Sequence, residues 1–337
     1  MLSDLHLGSR LRHDVLTHRE PLHRLLEALE GVERLVLLGD IVELLEKRAE
    51  DAMDVAEPIL RLIGRTIGTG REVIFVPGNH DRALIAAWLR RVGAGLAPDS
   101  RVPLDATPEL ARVVSWLAPA RVRVHYPGVW LAPGVWATHG HYLDRHLLPE
   151  AAFGVTRGLL GRVPQRGAVP IDYELAGGPS LTHLEALVIN ALPRPLAALA
   201  EDIAELIRAS TMPLAPRRLL RPGMARVTAT VLGAQMRRAS LPALSHSVGR
   251  LGVDADWVLF GHVHRLGPLP GDLETRWRGP QGQPRLLNTG SWVYEPLLVH
   301  NATPPHPYWP GGAVVLENDR APRAIGLLDA VPANAMH

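Results

Sequence analysis

Four apolar runs in this chain end in the same way. RLVLLGD (34–40), EVIFVPGNHD (72–81), VWATHGH (135–141) and DWVLFGHVH (256–264) each pass from a short strand-like stretch into glycine and then aspartate, asparagine or histidine. A short apolar run closed by turn residues suits a strand buried on both faces. Between the first two runs, Glu43 to Ile67 reads as helix. Ahead of them, Leu22, Leu25, Leu26 and Leu29 form a helical stripe within Arg19 to Leu29. Strand and helix alternating in this order is βαβαβ grammar. It implies an α/β fold with a largely parallel sheet and functional loops at the carboxyl ends of its strands.

RLLNTGSWVYE and GGAVVLEND read as late strands that close the sheet. The section from about 145 to 250 differs. Its helical stretches are broken by proline and glycine, and Pro195 to Ile207 carries Leu196, Leu199, Ile203 and Leu206 at helical spacing. The expected organisation is a core of residues 1–144 and 251–330 with a helical cap, 145–250, inserted into it.

With 337 residues, 47% of them hydrophobic, the chain can bury a full core as one large domain or two modest ones. Its formal charge is +2 and its cations are arginines apart from Lys47, interspersed with acids rather than gathered in a stripe, so a nucleic-acid partner is not expected. There is no cysteine, which excludes disulfides and leaves any metal to His, Asp, Glu or Asn. The longest stretch free of Asp, Glu, Lys and Arg, Val124 to Leu143, holds histidines, prolines and glycines that suit strands and turns better than a membrane span. No leader peptide is visible, so the cytoplasm is the expected location.

Five loops carry the polar groups: Asp4 and His6 in SDLHLG, Asp40 in GD, Asn79 and His80 in GNHD, His139 in HGH, and His262 and His264 in GHVH. Taken singly, a Gly-Asp is a turn, a His-x-His is coincidence and Asn-His-Asp is an Asx cap. Their joint order, each after an apolar run, is what points to chemistry. Together they offer oxygen and nitrogen donors for two divalent ions, which about 3.5–4 Å apart can grip a phosphate ester and ionise a shared water. Such a pair needs a bridging carboxylate, and Asp40 is the natural one.

That order resembles the calcineurin-like metallophosphoesterases, whose motifs run D-x-H, G-D, G-N-H-D/E, H and G-H-x-H. The resemblance covers the core and leaves the insert unassigned. It implies a four-layer α/β/β/α sandwich in which Asp4, His6 and His264 hold one ion, Asn79, His139 and His262 the other, and Asp40 both. His80 would then stabilise or protonate the leaving oxygen, with Asp81 orienting it, while a metal-bridging hydroxide attacks phosphorus in line. Sulfur-free ligands suit manganese, iron or zinc. One departure stands out: members place several apolar residues ahead of D-x-H, whereas only Met1, Leu2 and Ser3 precede Asp4. The expectation is that the native start lies upstream and that the first ion's site is the part of the pattern at risk.

For substrate contacts, Arg10, Arg12, Arg82, His141 and Arg145 flank the motifs. Arg82 and His141 are the candidates, and the others read as solvated arginines. The apolar cap suggests a lid over a greasy tail, with peripheral membrane contact, as in the UDP-diacylglucosamine pyrophosphatases. This sequence resembles those enzymes in motif order and in having an insert, but carries GNHD where they carry an arginine-containing version. The substrate expected is therefore a phosphorylated small molecule, nucleotide or lipid, cleaved at a phosphodiester or pyrophosphate bond. The alternatives are a nuclease of the same superfamily and a binding module without catalysis.

Overall fold

Along the first strand Leu35 and Leu37 pack on one face and Val36 and Leu38 on the other, and all four are buried. A strand covered on both sides is the mark of an inner parallel strand. The structure, a computed structural model, describes residues 1–10, 13–46, 48–146, 167–175, 240–299, 302–317 and 320–336. The stretch Pro195 to Ile207 and most of the expected cap lie outside the described residues.

Seven strands form one curled mixed sheet in the order β1 (Arg34–Leu38), β2 (Glu72–Val76), β4 (Arg121–Ala132), β5 (Val135–Thr138), β6 (Trp257–Phe260) and β7 (Arg285–Asn288), with β3 (Asp99–Val102) pairing β4. β1, β2 and β4 are parallel, as are β5, β6 and β7. The antiparallel pair β4–β5 joins the two halves. β4 makes the curl, because its first half lies along β2 and β3 and its second half along β5. A separate hairpin, β8 (Gly312–Val315) with β9 (Arg323–Gly326), is antiparallel.

Residues from both halves of the sheet meet in one cluster: Val36, Leu38, Ile74 and Val76 from β1 and β2, Val129, Ala137, Leu259 and Leu287 from β4 to β7, and Val314 from β8. The outer face of the first half is covered by α1 (Arg19–Leu29), α2 (Ala49–Ile67) and α4 (Pro108–Trp116), through Leu25, Leu60 and Leu110 among others. Helical residues 240–250 cover the other half, where Leu244 and Val248 pack with Val258, Phe260 and Leu286. α3 (Ala86–Val92) and α5 (Pro170–Leu175) are shorter. Among the described residues, no helix is long and apolar enough to cross a membrane.

The amino-terminal segment is short but paired along its length. Leu2 N–H donates to Val36 O, Leu38 N–H to Leu2 O, and Leu7 N–H to Ile41 O, which lays residues 2–7 parallel to β1. On its other side Val314 N–H donates to Met1 O at 3.0 Å. This brings Asp4 and His6 to the same sheet end as the later loops.

One expected element is shorter than its pattern. Glu43 to Ile67 reads as a single helix, yet α2 begins at Ala49. The reason is Glu43 itself, whose carboxylate accepts from the Leu45 and Glu46 amides at 2.9 and 3.1 Å and holds residues 43–46 as a loop.

Candidate metal centre

Where the strands end, the backbone turns left-handed on residues that are not glycine. Asp4 (φ 53°), His6 (44°), Asp40 (53°), His262 (70°) and His264 (54°) all adopt it, and among the described residues only Gln281 does so besides. Each such residue costs on the order of 1–3 kcal/mol, which is sustained only where the surroundings fix it. Here they do. Asp4 N–H donates to Gly39 O at 3.0 Å, His6 N–H to Asp40 O at 2.9 Å, His80 N–H to Asp40 Oδ1 at 2.9 Å, and His262 N–H to Asp4 Oδ2 at 3.0 Å. Gly78 completes the fit, since a Cβ there would overlap the Asp40 carboxylate.

Two groups of donor atoms face the expected ions, beside a third set, His6, Glu43 and His80, that is joined by hydrogen bonds. Asp4, His6 and His264 form the first: His264 Nε2 lies 3.2 Å from both Asp4 Oδ1 and His6 Nε2, and His6 Nε2 is 4.0 Å from Asp4 Oδ1. Asp40, His139 and His262 form the second, with His139 Nε2 3.0 Å from Asp40 Oδ2 and 3.1 Å from Asn79 Oδ1. Asp40 Oδ2 is also 3.9 Å from His6 Nε2, so that one oxygen faces both groups. Neighbouring ligands around an ion bonded at about 2.1 Å stand roughly 3.0–3.4 Å apart. Two imidazole nitrogens at 3.2 Å repel each other unless a proton or a cation lies between them. The donor set therefore fits two divalent ions of the borderline kind, with all seven expected ligands at one place.

Charge is arranged to match. Burial disfavours ionised Asp40, but cationic His139 and His80 hold its carboxyl well below the usual range. Burial likewise opposes a charged His139, and Asp40 overrides it to push the imidazole up to about 9. In His80 burial is outweighed by Asp40 and Glu43, which raise it to about 10.

The structure corrects the role expected of Asp81. Its carboxylate accepts from the backbone amides of Ile41, Val42 and Gly78 at 3.0, 2.8 and 3.1 Å, stapling the Asp40 loop to the GNHD loop, and the His80 ring nitrogen Nδ1 pairs with Glu43 instead. Burial and the nearby Asp40 charge push its carboxyl up to about 6, against those three hydrogen bonds. The group that orients His80 is Glu43. Its Oε1 accepts from His80 Nδ1 and its Oε2 from His6 Nδ1, both at 2.8 Å, which turns the Nε2 atoms of both rings toward the donor groups. Glu43 lies three residues past Asp40, and the apolar helical pattern that follows hides it.

Arg82 and His141 also reach the site's flank. Arg82 Nε pairs with Glu174 Oε2 of α5 at 2.7 Å, and His141 Nε2 lies 3.2 Å from the Tyr126 hydroxyl. The His141 ring stands 5.6 Å from that of His139. Burial, reinforced by His139 and His262, holds it well below the usual imidazole range and hence neutral. Asp144, unremarked in the sequence, places Oδ1 2.9 Å from His262 Nε2. A cavity of about 370 Å³ opens beside the first group, between His6, His264, Ser9, Ser291, Val293 and Tyr308. No protein-family model matches this chain, and no curated protein does.

Proposed function

We propose that this protein hydrolyses a phosphate ester or pyrophosphate bond with two divalent metal ions, as the calcineurin-like metallophosphoesterases that its motifs resemble do, on a four-layer α/β/β/α core. The observation that carries this reading is Asp40 Oδ2, 3.0 Å from His139 Nε2 and 3.9 Å from the Nε2 atoms of His6 and His80. One carboxylate oxygen thus lies between two sets of ligands and an acid.

When bound, the ions would neutralise phosphate charge and ionise an attacking water. The chain's own residues do the rest. Asp4, His6 and His264 bind on one side and Asn79, His139 and His262 on the other. Glu43 keeps a proton on Nδ1 of His6 and of His80, so His6 offers an Nε2 lone pair and His80 an Nε2–H. His80, with 20% of its side chain open to solvent, can donate that proton to the leaving oxygen. The substrate class is a nucleotide or lipid-linked diester or pyrophosphate.

The test is hydrolysis of bis(p-nitrophenyl) phosphate and p-nitrophenyl phosphate with manganese, iron or zinc added, alongside metal analysis of the purified protein. Turnover that a chelator abolishes and metal restores is the expected result. His80→Ala should keep both ions and lose about 10²–10⁴-fold in turnover. Full turnover by that variant, or a wild-type protein that binds no metal, would sink the reading.

A further inference from the structure

Glu174 arrives from the insert side, in α5, and its side chain is only 4% exposed. Its partners all come from the core. Arg82 Nε, after β2, reaches Oε2 at 2.7 Å, the Tyr142 hydroxyl, after β5, reaches Oε1 at 2.8 Å, and the Tyr126 hydroxyl of β4 donates to the same Oε1 in a short contact. A guanidinium with two phenolic hydroxyls is a kit for binding an anion. A buried ion pair adds little net stability, so clamping α5 does not by itself account for three donors converging on one carboxylate.

The pocket adjoins the metal centre. The Tyr126 hydroxyl is shared with His141 Nε2, and the His141 ring stands 5.6 Å from His139 and 6.4 Å from His262. One feature is unspent: Arg82, 30% exposed, holds Glu174 through Nε and keeps its terminal N–H groups for another acceptor. The donors therefore exceed what Glu174 uses, and they lie one imidazole away from where the phosphate would react.

We propose that Arg82, Tyr126 and Tyr142 form a subsite for a second phosphate of the substrate, and that Glu174 occupies it until that phosphate displaces it. This deepens the phosphate-hydrolysis reading and rests on it. The substrate becomes a diphosphate or a diester with a neighbouring phosphate, and α5 a built-in competitor that a simple diester does not move.

Inorganic pyrophosphate binding to the metal-free protein, followed by calorimetry, tests this apart from turnover. Glu174→Gln should bind pyrophosphate at least about tenfold tighter than the wild type, and adding Arg82→Gln should abolish that gain. Equal or weaker binding by Glu174→Gln would overturn the proposal. A second measurement needs no variant: in the wild type, saturating pyrophosphate should speed amide exchange across residues 170–175, and unchanged exchange there would also overturn it. Neither readout depends on hydrolysis, so a failed turnover assay counts against the enzyme reading alone.

Discussion

Two buried carboxylates flank His80 and act in opposite ways. Glu43 hydrogen-bonds the rings of His6 and His80, so Glu43→Gln should cost about 10–100-fold in metal affinity or turnover while leaving the fold intact. Asp81 bonds only backbone amides, two of the Asp40 loop and one of its own, so Asp81→Asn should lower stability by about 1–3 kcal/mol and spare turnover per folded, metal-loaded molecule. Denaturant unfolding and metal titration of the two variants separate these outcomes; the reversed pattern would return Asp81 to the role its sequence position suggests. That position misleads because adjacency along the chain says nothing of direction: the turn at residues 78–81 points Asp81 inward and His80 out. Protons give a further prediction. His139, raised to about 9 without metal, is protonated at neutral pH, and a ligand must be neutral to bind. Metal uptake at pH 7 should release protons, measurable by calorimetry in buffers of different ionisation heat, and affinity should climb about tenfold per unit pH for each proton displaced, levelling off above about pH 9. The same raised pKa stabilises the metal-free fold below the unfolded value near 6.5, and that contribution fades as pH rises through about 9.

Strands were easier to foresee than their neighbours. The runs before Asp40, Asn79, His139 and His262 are strands because each is a local, largely apolar signal. α1 spans Arg19–Leu29 as its leucine stripe implies. The start of α2 was not legible, since the competing bonds at Glu43 depend on His6 and His80 arriving from elsewhere in the chain. Nor was Glu174, whose partners lie 32 to 92 residues away. Within α2, Gly64 illustrates how packing overrides propensity. Alanine in mid-helix normally gains about 1 kcal/mol over glycine, but a Cβ on Gly64 would stand 2.5 Å from the carbonyl carbon of Leu117 and 2.7 Å from its Cα, which are backbone atoms and cannot step aside. Gly64→Ala should therefore destabilise by about 1–3 kcal/mol in thermal or urea unfolding. A gain in stability would show that α2 and the turn after α4 separate easily.

For the molecule as a whole, the two donor groups act across the entire curled sheet. Their members come from residues 4–6, 40, 79, 139 and 262–264, so ions bound there would tie both halves of the sheet together. A metal present at about a thousand times its dissociation constant adds roughly 4 kcal/mol to stability. The chelated protein should accordingly melt several degrees lower, and adding manganese, iron or zinc should restore the transition in proportion to the logarithm of free metal. A melting curve indifferent to chelator would mean that the groups close without ions. The order of these residues along the chain has its own result. The first group waits on His264 and the second on His262, two residues apart on one loop. A nascent chain leaving the ribosome carries every other donor long before that loop emerges, so a product that stops before residue 262 completes neither group, and both gain their last donor within a single tripeptide.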